Sequence, residues 1–165
     1  MNAWWTRRLG VVAAVMFSAV FVSRCSAAGS APPTPDVVAE LQKLKIPTMP
    51  KTFTPAQKKE IEQAWNGPGQ FFVRHGCFSC HAVSVYGVKG LAAIGPDLSN
   101  AEADVEARFG RKLEDFLKEP QGTMQMVLSQ LIVLTPEQKT EALQQLQAAY
   151  KEYQKQERSN GSQTK

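Results

Sequence analysis

Histidine and cysteine are scarce in this sequence, which has two histidines and three cysteines among its 165 residues. A structural zinc ion usually takes four nitrogen or sulfur ligands. Besides the cluster of Cys77, Cys80 and His81, the chain offers only His75 and Cys25, and Cys25 lies far away in an apolar N-terminal stretch. The shortage therefore argues against a zinc site. It also leaves no cysteine pair for a structural disulfide if Cys77 and Cys80 are otherwise engaged.

Acidic residues are absent from residues 1–28, and this stretch is typical of a secretory signal peptide. Arg7 and Arg8 precede an apolar run over residues 9–22, and small residues at 26–28 offer a cleavage site. The run is shorter than the roughly 20 residues of a membrane-spanning helix. We therefore expect a cleaved signal peptide, with an uncleaved membrane anchor as the alternative.

The formal net charge of +4 does not indicate a nucleic-acid partner. Three basic residues, Arg7, Arg8 and Arg24, belong to the leader. Without them, 16 of the 19 basic residues remain, against 15 acidic residues. Nucleic-acid binding needs a marked basic excess on one face. We therefore expect no nucleic-acid partner.

Sustained strand patterns and internal repeats are also lacking, which predicts an all-α fold. Residues 29–53 have the composition of a Pro-rich linker with one short amphipathic helix. Thr54-Pro55-Ala56-Gln57 and Thr135-Pro136-Glu137-Gln138 are helix-capping sequences, and the second should begin the longest helix.

Shorter helices are predicted at residues 70–74, 101–109 and 112–118, with a loop over 82–100 that wraps a ligand. We expect one domain over residues 54–154. The polar residues 155–165 predict a disordered tail.

The sequence Cys77-Phe78-Ser79-Cys80-His81 carries most of the chemical information. Cys-x-x-Cys-His is the attachment sequence of a c-type haem, in which two thiols bond to the porphyrin vinyl groups and the adjacent imidazole ligates the iron. Predicted cofactor residues are thus Cys77 and Cys80, with His81 as the proximal iron ligand. A redox or zinc-binding Cys-x-x-Cys that happens to precede a histidine is the alternative.

Together with Gly95-Pro96-Asp97-Leu98, the methionines after Pro120 and the final amphipathic helix, this motif resembles a class I cytochrome c over residues 69–153. The resemblance implies a small helical domain wrapped around one covalently attached haem c. It also implies that the Pro96 carbonyl accepts a hydrogen bond from the second ring nitrogen of His81. The first and last helices of that domain should cross.

The sixth iron ligand is where the sequence departs from the family pattern. The family uses a methionine usually followed by proline, whereas Met124 and Met126 both lack one. We favour Met126, which lies closer to the final helix, over Met124. A third possibility is that both methionines are packing residues. His75 is too close to Cys77 to reach the distal side, and its place at a helix end predicts a solvent-facing cation.

A haem with histidine and methionine ligands transfers single electrons. The resemblance therefore implies a periplasmic electron carrier, either a soluble shuttle between redox proteins or a subunit of a membrane oxidoreductase. If the leader is retained, the protein would be anchored to the inner membrane and face the periplasm. A haem enzyme or gas-binding sensor with an open distal face is the alternative function.

Overall fold

The computed structural model describes residues 36–92 and 94–161, and all structural statements concern this part of the chain. The predicted signal peptide, the following residues up to 35 and residues 162–165 lie outside it. The helices in chain order are α1 (Val37–Gln42), α2 (Pro55–Trp65), α3 (Gln70–Arg74), α4 (Ala101–Phe109), α5 (Leu113–Lys118), α6 (Thr123–Met126) and α7 (Pro136–Gly161). No strand occurs in the described ranges, where Val83 and Val88 form an isolated bridge. The prediction of an all-α fold is confirmed there, and no described helix is long and apolar enough to cross a membrane.

Two capping boxes begin the longer helices, as the sequence predicts. At α2 the Gln57 amide donates to Thr54 Oγ1 over 3.2 Å, and the Thr54 amide donates to Gln57 Oε1 over 2.9 Å. Thr135 and Gln138 repeat both bonds at the start of α7. Each box satisfies two backbone donors that the first helical turn leaves without partners.

The last helix continues past the point where we expected disorder. α7 runs to Gly161, so the predicted tail is helical over residues 155–161. An ion pair joins Lys155 to Glu152 at 2.6 Å, and Arg158 Nε donates to the Gln154 carbonyl over 3.1 Å. Lysine, arginine, glutamine and glutamate all have high helix propensity, so they extend a helix that is already nucleated.

One hydrophobic core joins the last helix to the middle of the chain. Ala142, Leu146 and Ala149 are 4%, 6% and 0% exposed, and α7 packs against α4, α5 and the 3₁₀ turn Leu98–Asn100. Phe72 of α3 belongs to the same core. We expected the first and last helices of the domain to cross. At Gly69, before α3, an added Cβ would first meet the Val88 side chain, so Val88 is the contact at this position.

The segment before α2 is part of the core and not a linker. Val37, Leu41, Ile46 and Phe53 are each less than a tenth exposed. The predicted short helix is present as α1, where the Asp36 carboxylate caps the first turn. Our prediction of a linker over residues 29–53 is therefore wrong for residues 36–53, because four of their apolar side chains pack inward; residues 29–35 lie outside the described part of the chain.

Candidate functional site

A compact turn brings the Cys-x-x-Cys-His residues together directly after α3. Gly76 ends that helix at φ +73°, a left-handed conformation that glycine adopts without steric cost. The chain then enters a 3₁₀ turn at Cys77–Ser79, and the Cys77 carbonyl accepts from the amides of Cys80 at 3.2 Å and His81 at 3.1 Å.

The side chains of this turn differ in burial: two are fully buried, and the two cysteines and the histidine are only partly buried. Phe78 and Ser79 are 2% and 1% exposed, so they hold the turn in the core. Cys77, Cys80 and His81 are half-buried. Residues at positions i, i+3 and i+4 of a helical turn share one face, and these three residues have that spacing.

The imidazole of His81 is held in one orientation. Its Nδ1 lies 2.8 Å from the Pro96 carbonyl oxygen, which is the contact that the resemblance implies. A carbonyl can only accept, so the proton of this hydrogen bond is on Nδ1. Gly95 fits against the ring, because a Cβ there would overlap Cε1 and Nδ1 of His81. The site thus presents an oriented imidazole whose other ring nitrogen, Nε2, is not engaged by Pro96.

Four residues between positions 91 and 98 are tied to the turn by backbone hydrogen bonds. Their amides donate over 2.9–3.1 Å to carbonyls of residues 78–82, in the pairs Leu91 to Phe78, Ala92 to Ser79, Gly95 to Cys80, and Leu98 to Ala82. We predicted that the loop over residues 82–100 wraps a ligand. Part of this loop lies against the turn at Cys77–Ser79, and the ligand stays a prediction.

Asp97 organises the same loop, a role that the sequence analysis missed. Its Oδ1 accepts from the Ser84 amide at 3.1 Å and the Ser99 amide at 2.9 Å. Burial alone would raise the pKa of Asp97, but the hydrogen bonds from Ser84 and Ser99 outweigh it and hold the pKa below its usual value. The signal was available, because aspartate two residues before serine is a common capping arrangement.

The Cys77 thiol lacks the lowered pKa that is typical of a dithiol redox centre. Cys77 and Cys80 are free cysteines. Although the Cys77 residue keeps some accessible surface, burial of its thiol raises the pKa to about 12. Reactive Cys-x-x-Cys sites lower the pKa of their first cysteine. The described residues also contain no group of three or more histidine, cysteine, aspartate or glutamate side chains placed to hold a metal ion.

His75 is not the solvent-facing cation that we expected. Its residue is half-buried, and its ring centroid lies 4.4 Å from that of Phe71. Burial lowers the pKa of His75, and Arg74 adds to this effect, while Glu141 opposes it. Burial of His75 therefore disfavours the charged form that we expected at a helix end.

The two candidate distal methionines have different surroundings on α6. Met124 is partly buried and packs against the hydrophobic core, whereas Met126 is 49% exposed. The chain continues from Met126 into a wide π turn at Val127–Leu131. The structure therefore brings Cys77, Cys80, His81 and Pro96 together in one site, and it places the methionines on a separate element.

Comparisons with protein-family models, with curated proteins and with solved structures found no match for this chain. The described site combines the turn at Cys77–Ser79, the imidazole of His81 oriented by Pro96, and the loop that is hydrogen-bonded to the turn.

Proposed function

We propose that this protein is a monohaem c-type cytochrome, similar to class I members, that carries single electrons between redox proteins. The observation that carries the proposal is the 2.8 Å hydrogen bond between His81 Nδ1 and the Pro96 carbonyl oxygen. This bond orients the imidazole so that Nε2 would be the iron ligand, and Cys77, Cys80 and His81 have the i, i+3, i+4 spacing of one helical face. Such a partner is typical of metal-ligating histidines, since it fixes the tautomer and raises ligand basicity.

The residues of the site fit one covalently attached haem. Cys77 and Cys80 would each add an S–H bond across one vinyl group of the porphyrin, which requires no leaving group. His81 would bind the iron through Nε2, with its ring held by Pro96 and Gly95. When bound, the haem supplies reversible one-electron transfer.

Met126 is the proposed second axial ligand, and Met124 is the alternative. The Met124 side chain is engaged in packing, whereas Met126 is 49% exposed, so its thioether is available. Thioether sulfur is a soft ligand that favours the reduced iron and raises the reduction potential. With both axial positions taken by the protein, a substrate would find no open coordination site.

We place the protein in the periplasm, because residues 1–28 have the pattern of an export signal. A retained leader would instead anchor it to the inner membrane. Its partners would be proteins that donate or accept one electron. The protein would meet them either as a soluble shuttle or as a subunit of a membrane oxidoreductase.

Covalent haem attachment is the decisive test. The full chain would be expressed in a bacterium with haem-attachment machinery, extracted with acid–acetone and stained for haem after denaturing electrophoresis. Changing Cys77 and Cys80 together to alanine should abolish the stain. A stain that persists in the double variant would contradict the proposal.

Axial ligation is tested separately by visible spectroscopy. His81→Ala should remove the low-spin Soret and α bands, whereas His75→Ala, the matched control, should leave them in place. Carbon monoxide binding by the unmutated reduced protein would show an open distal face. The haem enzyme or gas-sensor alternative would then be favoured.

A further inference from the structure

A segment that precedes the cytochrome-like residues 69–153 lies against the turn at Cys77–Ser79, which we call the attachment turn. We call residues 43–53, between α1 and α2, the clasp. Ile46 is 6% exposed, and its side chain occupies the space where a Cβ of Gly76 would stand, with Leu44 Cδ1 at 3.3 Å from that position. Gly76 directly precedes Cys77. The clasp therefore contacts the turn at its first residue.

The clasp has a compact shape of its own. The Met49 amide donates to the Ile46 carbonyl over 3.0 Å, which closes a turn at Pro47. Gln42 Nε2 donates to the Lys51 carbonyl over 3.1 Å and so joins α1 to the far end of the clasp. Phe53 then enters the core at 6% exposure.

The tip of the clasp reaches one of the two attachment sulfurs. Thr48 Oγ1 lies 3.5 Å from Cys80 Sγ, and Ser79 Oγ lies 3.6 Å from the same sulfur. Between a hydroxyl and a free thiol either atom can donate. A thioether sulfur has no hydrogen, so after haem attachment both hydroxyls could only donate to it.

We infer that the clasp is part of the cofactor site: it covers the Cys80 side of the attachment turn, and Thr48 is a positioning residue that polarises the Cys80 sulfur. The inference rests on the proposed function for its redox consequence, but the clasp's cover over Cys80 does not. A hydrogen bond to the sulfur draws electron density from the edge of the porphyrin. Because the Cys80 sulfur would be bonded to a porphyrin side carbon and not to the iron, the hydrogen bond would act inductively, in the direction that favours the reduced form.

The cover is tested on the full chain without haem. N-ethylmaleimide would be added to the folded protein, and the rates of modification of Cys77 and Cys80 would be resolved by fragmentation mass spectrometry. Ile46→Ala should speed modification of Cys80 by at least about tenfold, because labelling follows the population of the open form. Cys77 should be accelerated less, because its side chain packs against the hydrophobic core.

Leu113→Ala is the matched control, since Leu113 is 4% exposed and lies on α5, away from the clasp in sequence. It should not favour Cys80 over Cys77. If Ile46→Ala is too unstable to fold, Ile46→Val gives the same selectivity with a smaller factor. Equal acceleration of both cysteines, or none, in a folded Ile46 variant would overturn the cover.

The redox role is tested on the haem-loaded protein by potentiometry. Thr48→Val keeps the shape of the side chain but removes the donor, and it should lower the reduction potential. Thr48→Ser should restore the native value. A potential that is the same in all three proteins would overturn the role of Thr48. Failure of the native chain to attach haem would refute the proposed function alone, while labelling would still decide the cover.

Discussion

Replacing Gly95 by alanine tests directly how His81 is held. The backbone of Gly95 does not require glycine, so the effect comes from contact: the new Cβ would overlap Cε1 and Nδ1 of the imidazole. The ring must turn away and lose its hydrogen bond to Pro96. Overpacking costs about 1–3 kcal/mol and the lost bond about 0.5–1.5 kcal/mol. We expect the free energy of unfolding to fall by about 1.5–4.5 kcal/mol.

The assay is urea unfolding of the haem-free chain followed by circular dichroism, together with the haem content and visible spectrum of the loaded protein. Gly87→Ala is the control. Gly87 has φ +67° and no atom within 4 Å of an added Cβ, so only backbone strain of about 1–2 kcal/mol is expected. Its haem spectrum should stay native. A Gly95→Ala protein with native stability and a native spectrum would refute the proposed packing of His81.

Three further predictions concern other parts of the chain. Met126→Ala should lower the reduction potential and admit carbon monoxide, whereas Met124→Ala should only cost about 1–3 kcal/mol of stability; reversed phenotypes would make Met124 the ligand. Folding lowers the pKa of Asp97, so its carboxylate contributes stability that is fully present above the unfolded pKa of about 4 and is lost as the pH falls through the folded pKa. Asp97→Asn should therefore flatten the dependence of stability on pH in acid unfolding. Parallel curves for the variant and the native protein would contradict this. Thr135→Ala should lower the stability measured by thermal unfolding by about 1 kcal/mol. Thr140→Ala removes only a hydrogen bond to the Pro136 carbonyl and should be nearly neutral. Equal losses of stability in the two variants would contradict the capping role of Thr135.

The local parts of the structure could be predicted because their causes are local. Each capping box, at Thr54 and at Thr135, defines the start of a helix within four residues. The turn at Cys77 is likewise contained in the five residues of the Cys-x-x-Cys-His sequence. The clasp could not be predicted in this way. Ile46 meets Gly76 across a long stretch of chain, and nothing in the composition around residue 46 indicates that partner. The error at His75 has a local cause, since its ring packs against Phe71 one helical turn earlier, and burial lowers the pKa of the imidazole.

The tail prediction failed for a different reason. Its residues are polar enough to suggest disorder, yet they continue a helix whose earlier turns are anchored by Leu146 and Ala149. Nucleation is the costly step of helix formation, and it is supplied by the buried part of α7. Composition alone does not report that neighbouring support.

The position of α7 in the core has a consequence for biosynthesis. The ribosome adds this helix after every other described element, yet Ala142, Leu146 and Ala149 complete the core against α4, α5 and the Leu98–Asn100 turn. Until α7 has been synthesised, the apolar surfaces that it covers have no partner, so the core of the described residues cannot be completed. A chain that lacked α7 would leave the faces of α4 and α5 that the helix covers exposed to water.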